Sequence, residues 1–99
     1  MELNQDQFYI VRAKNAGVFF GRIKNRNGVE SVTMTDVRKL WYWDGAAAVE
    51  QLALNGITRP DNCKFTVVIN EMEIAEPIQI IPCTEEAVRR ISAVKTWKM

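Results

Sequence analysis

Phe8-Tyr9-Ile10-Val11-Arg12 and Val18-Phe19-Phe20-Gly21-Arg22-Ile23-Lys24 are two runs of β-branched and aromatic residues, separated by the turn formers Lys14-Asn15-Ala16-Gly17. So short a connection between two strand-like runs is that of an antiparallel hairpin. Asn25-Arg26-Asn27-Gly28 ends the second run, and its Asn-Gly pair suits a positive-φ turn before Val29-Glu30-Ser31-Val32-Thr33-Met34. A three-stranded meander is therefore expected at the start of the chain. Side chains alternate along a strand, so Phe19, Gly21 and Ile23 share one face of the second strand and Val18, Phe20, Arg22 and Lys24 the other.

Val37 to Trp43 is expected to form a fourth strand, with Val37, Lys39, Trp41 and Trp43 on one side and Arg38, Leu40 and Tyr42 on the other. On that alternation Trp41 and Trp43 stay together, either both in the core or both in an exposed platform. Asp44 stops the strand, and Asp44 or Gly45 caps a helix over Ala46 to Leu54 that Gly56 terminates. Val49, Leu52 and Ala53 fall on the helical face that packs on the sheet. Phe65 to Ile69 reads as a strand, Asn70-Glu71 as a short turn, and Met72 to Glu76 and Ile78 to Ile81 as strand segments. Pro77 between them lacks a donor and fits an edge strand or a break. Thr84 caps a last helix from Glu85 through Val94, with Ala87, Val88, Ile91 and Val94 as its apolar stripe. The fold class is α+β: one compact domain over residues 1–99, an antiparallel sheet of about five to six strands with a meander start, and two packed helices.

Composition narrows the function classes. Thirteen cations meet twelve anions, a net charge of +1, so the basic excess of a general nucleic-acid binder is missing and any polyanion site must be a local patch. With no histidine, the commonest general base near neutral pH and the usual partner of a serine or cysteine nucleophile is absent. Cys63 and Cys83 fall outside any CxxC or zinc-ligand spacing, and read as reduced, partly buried thiols; no metal and no cofactor is expected. Glu71 and Glu73 share a strand face while Glu76 takes the other, which describes a solvated edge and not a catalytic pair. A non-enzymatic role follows. The first residues carry neither a basic region nor an apolar block, so no signal peptide or membrane span is expected and a cytoplasmic location is the default.

Binding chemistry is better represented. Arg22, Arg26, Arg38 and Lys39 can hold phosphate, and Tyr9, Trp41 and Trp43 can stack on a flat ligand; these seven residues are the candidate ligand site. The alternative is that the rings point inward and the cations outward, as in any half-exposed sheet. Trp97 either anchors a docking surface, consistent with a homo-oligomer, or folds back on its own sheet.

Ala16-Gly17-Val18-Phe19-Phe20-Gly21, Arg38-Lys39-Leu40-Trp41-Tyr42-Trp43-Asp44-Gly45-Ala46, Gln51-Leu52-Ala53, Cys63-Lys64-Phe65 and Ile80-Ile81-Pro82-Cys83-Thr84-Glu85 together resemble a family of small uncharacterised phage and prophage proteins. The resemblance spans most of the chain and implies a phage or prophage origin; it brings no established activity and no catalytic residue. By analogy with small phage-encoded β-rich sponges of other families, the expected function is a non-enzymatic accessory protein that binds a small anionic ligand, in its most concrete form a nucleotide-derived immune signal. The alternative is a structural, assembly or host-protein-binding module of a phage. Binding of single-stranded nucleic acid is a third reading, which strong salt dependence would mark.

Overall fold

A computed structural model describes residues 3–97 of the protein. Strands β1 (Phe8–Ala13), β2 (Gly17–Asn27) and β3 (Ser31–Tyr42) form the expected meander, with β1 running from Phe8 opposite Arg22 to Ala13 opposite Gly17. Gly28, at φ 57°, makes the turn into β3, where the Glu30 N–H donates to the Asn27 carbonyl at 3.0 Å. The third and fourth expected strands are a single strand. A bulge joins them: Asp36 takes φ 47°, and the β2–β3 register slips between Phe20 and Arg22. One extra residue resets the alternation. Val32, Met34 and Val37 therefore face one side, and Leu40 the other. Gly21 lies against this bulge, since a Cβ there would stand 2.9 Å from the Thr35 carbonyl oxygen and 2.9 Å from the Val37 Cα.

β4 (Lys64–Phe65) pairs with the end of β3, β5 (Ile69–Ala75) with its first half, and β6 (Pro77–Pro82) with β1. The expected strand over Phe65 to Ile69 is thus two strands, and Asn70-Glu71 lies within β5 instead of forming a turn. Among the described residues the six strands belong to one antiparallel sheet, with β5 and β6 at opposite edges. In a flat sheet four strand spacings would hold those edges ~19 Å apart. Yet Glu76 alone links Ala75 to Pro77, a step of at most ~7 Å. The sheet is therefore rolled into a small barrel. Glu76, at φ 54°, closes it by donating its N–H to the Glu30 carbonyl (2.8 Å) and accepting from the Lys14 N–H (2.9 Å).

Alternation on the rolled sheet creates two cores. Tyr9, Val11, Phe19, Ile23, Val32, Met34, Val37 and Ile74 fill the inside. Ile10, Phe20, Leu40 and Phe65 face outward and are covered by Leu52 and Ala53 of α1 (Val49–Asn55) and by Ala87 and Ile91 of α2 (Glu85–Ser92). α1 begins later than its alanines predict, and neither Asp44 nor Gly45 caps it. Gly45 turns at φ 91° against Thr58, and the Gln51 side chain accepts the Ala47 N–H at 2.7 Å. The expected C-terminal glycine is in place: Gly56, at φ 75°, donates to the Leu52 carbonyl. Thr84 caps α2 by accepting the Ala87 N–H (3.1 Å), and its hydroxyl donates to the Leu54 carbonyl, as Arg90 donates to that of Asn55. Carbonyls left over at the end of α1 are satisfied by α2.

Arg38 does not serve the candidate ligand site. It is 3% exposed, and its guanidinium donates to the carbonyls of Thr66 (3.0 Å), Val94 (3.0 Å), Phe65 (3.4 Å) and Ile91 (3.4 Å). The last turn of α2 thereby finds a cation at its negative end, and burial pulls the guanidinium pKa below its ordinary value. Arg38→Met keeps the stem and strands these acceptors, which should lower the unfolding free energy by roughly 2–5 kcal/mol in urea titration; a loss under about 1 kcal/mol would show that the carbonyls find other partners. Gly21→Ala should cost about 1–3 kcal/mol by forcing β2 off the bulge, read as a lower melting temperature with an unchanged far-ultraviolet spectrum.

Candidate functional site

The barrel scatters most of the residues that the sequence nominated. Tyr9 is enclosed in the interior, 1% exposed, and its hydroxyl accepts the Asn4 N–H at 3.0 Å. Arg22 lies over the Phe8 ring, 4.8 Å from its centroid, and donates to Asp36 at 2.9 Å. Arg26 donates through Nε to the Gly28 carbonyl at 3.1 Å. It pairs with Val32, which lies roughly 30 Å along β3 from Trp41. Lys39 is half-buried, with its ammonium 5.9 Å from the Phe19 ring centroid. Together with buried Arg38, these positions form no common anion patch.

Trp41 and Trp43 are also separated. β3 ends at Tyr42, so the alternation that would hold them on one face stops before Trp43. Trp43 packs, partly buried, against the helix-covered core, whereas Trp41 is 54% exposed. The partner of Trp41 is Trp97, stacked on it at 5.0 Å between ring centroids and 15° between planes. Trp97 does fold back on its own sheet.

Backbone pairing brings this stack together. Lys64 of β4 lies opposite Tyr42 of β3, and Thr96 pairs in parallel with Phe65, so β4 is flanked on both sides. The Trp97 N–H then donates to the Phe65 carbonyl at 2.8 Å. Phe65 turns into the core, which leaves its neighbour Lys64 on the opposite face. Its ammonium stands 5.3 Å from the Trp41 ring centroid and 5.6 Å from that of Trp97. Two indoles and one cation thus form an exposed platform drawn from three distant parts of the chain.

Beside the platform is an open cleft of about 370 Å³ between Tyr42, Lys64 and Trp97 on one hand and Asp44, Asp61, Asn62 and Cys63 on the other. Asp44 accepts from the Asn62 side-chain amide at 3.1 Å and lies 3.7 Å from the Arg59 guanidinium. Asp61 is exposed on the single 3-10 turn Pro60–Asn62 and makes no ion pair among the described residues. Burial pushes the Cys63 thiol up from its ordinary pKa, and its Sγ lies 3.4 Å from the Arg59 carbonyl. Cys83, remote from the cleft, is pushed up to about 12 by burial. The arrangement offers a flat apolar surface, one ammonium and two carboxylates. That set can stack on a ring, hold an anion and accept hydrogen bonds from hydroxyl or amino groups.

Of the nominated residues only Trp41 belongs to this site. No local pattern distinguishes Lys64, Asp61 and Asn62 from other surface polar residues. The one available signal was alternation about Phe65. Among the described residues there is no group of side chains arranged to hold a metal ion, and no helix is long and apolar enough to cross a membrane.

No curated protein and no solved structure is significantly similar to the chain. One family does match it, over residues 6–91, and its description is a domain of unknown function. Trp41, Lys64 and the acids of the cleft lie within the matched span, and Trp97 follows it. The protein belongs to the DUF6948 family.

Proposed function

We propose that this protein is a non-enzymatic binding module whose site is the Trp41–Trp97 platform, and that its ligand is a small nucleotide-like anion. The observation that carries the reading is the exposed indole stack with the Lys64 ammonium within 5.6 Å of both rings. Indoles left in water forgo the burial that usually recruits them, and a flat heterocycle laid on the stack recovers it. Lys64 supplies the charge for a phosphate attached to that heterocycle. Segments resembling phage and prophage proteins favour one biological form of this activity, the sequestration of a nucleotide-derived immune signal in the cytoplasm of an infected cell.

A second reading rests on Val67, Val68 and Ile69, three consecutive apolar residues that are 55%, 51% and 38% exposed. Such a run favours contact with another protein, either a further copy of the chain or a host or virion component.

Titration of nucleoside 5′-monophosphates against intrinsic tryptophan fluorescence tests the first reading. Stacking contributes about 1–3 kcal/mol per base, so Trp97→Ala should weaken binding roughly ten- to a hundredfold, and Lys64→Gln should weaken nucleotides while leaving the corresponding nucleosides unchanged. Equal affinity of Trp97→Ala and the parent protein would remove the platform from function. For the second reading, light scattering across a concentration series should show an oligomer that Val67→Asp with Val68→Asp dissociates; a monomer at all concentrations argues against self-association.

A further inference from the structure

The nucleotide reading leaves the two carboxylates of the cleft unexplained, and they are what determines the class of nucleotide. Asp44 and Asp61 line the same 370 Å³ space as Lys64 and Trp97. An ionised carboxylate only accepts hydrogen bonds, and beside a phosphate it is repulsive. These groups must therefore face a donor-rich part of the ligand. In a nucleotide with its base on the indoles and its phosphate toward Lys64, the sugar lies between the two, over the cleft. Its vicinal hydroxyls are the donors available there.

The two acids are not equivalent. Asp44 is engaged by the Asn62 amide and sits near Arg59, which fixes its orientation. Asp61 lies one residue before Asn62, on the turn at the rim, with no ion pair among the described residues. A carboxylate accepting from the ribose 2′-hydroxyl is how dinucleotide-binding folds recognise the sugar, and the same chemistry needs only one acceptor placed beside the base and phosphate subsites. The 2′-hydroxyl also distinguishes ribose from deoxyribose at a given site.

We infer that the platform site selects ribonucleotides over deoxyribonucleotides, with Asp61 accepting from the 2′-hydroxyl of a sugar whose base lies on Trp97. This rests on the nucleotide reading above. The opposed charges of the site agree with it: Lys64 and Arg59 stand against Asp44 and Asp61, a balance suited to a ligand that carries both an anion and neutral donors.

Binding of the four ribonucleoside 5′-monophosphates and of their 2′-deoxy counterparts, measured by calorimetry on the full chain, is the test. For at least one base the ribonucleotide should bind about ten- to a hundredfold more tightly than its deoxy form, the loss expected when a charge-assisted hydrogen bond is removed. Asp61→Ala should bring the ribonucleotide down to the deoxy affinity and leave the deoxy affinity unchanged; because Asp61 is exposed, the fold is not at stake. Equal affinity for ribo and deoxy forms overturns the inference while the stacking site stands. A ribose preference that survives Asp61→Ala also overturns it, assigning the discrimination to another group. Failure of every nucleotide to bind removes the nucleotide reading and this inference together.

Discussion

A single buried guanidinium ties β3 to the β4 segment and to the end of α2. Arg38 leaves β3, passes into the outer core and donates to carbonyls of β4, of the last turn of α2 and of the segment beyond it. Among the described residues its charge makes no ion pair; the negative end of the helix takes that role. The arrangement fixes where α2 stops, and so where the chain turns back to run beside Phe65 and deliver Trp97 onto Trp41. A buried residue that shares the Phe65 carbonyl with the Trp97 N–H thereby helps to position the indole stack.

Local patterns carried much of the architecture. Alternation in β2 predicts that Phe19 and Phe20 lie on opposite faces, as they do, and Thr84 and Gly56 act at the helix ends as their residue types require. Legibility failed where a single backbone torsion changed the parity. Asp36 adopts a left-handed conformation that no neighbouring residue announces, so one strand reads as two, although Val37 and Leu40 lie on opposite faces as their alternation predicts. The burial of Arg38 is hidden in the sequence for a related reason: a cation in a strand looks solvent-facing until the helix end that needs it is known.

The site was less legible than the fold because its parts are remote in sequence. Trp41, Lys64 and Trp97 become neighbours only after β4 has paired with β3 and the C-terminal segment has paired with β4. Cations and rings that cluster along the chain, such as Arg22, Arg26 and Lys39, are spread over the surface of the rolled sheet. The family match ends before Trp97, so the platform joins a ring from the shared domain to one from its flank.

Glu76 gives the barrel a constraint of length. Its backbone, not its side chain, ties Glu30 to Lys14 and turns β5 into β6, so many residue types are compatible with the position provided that the torsion is reached. The number of residues is a different matter. One more or one fewer would move β6 by a single step against β1, and a single step in a strand exchanges its faces. Ile80, which packs on the barrel interior, and Ile81, which packs beneath the helices, would trade environments. At this corner the chain can vary in composition but not in count.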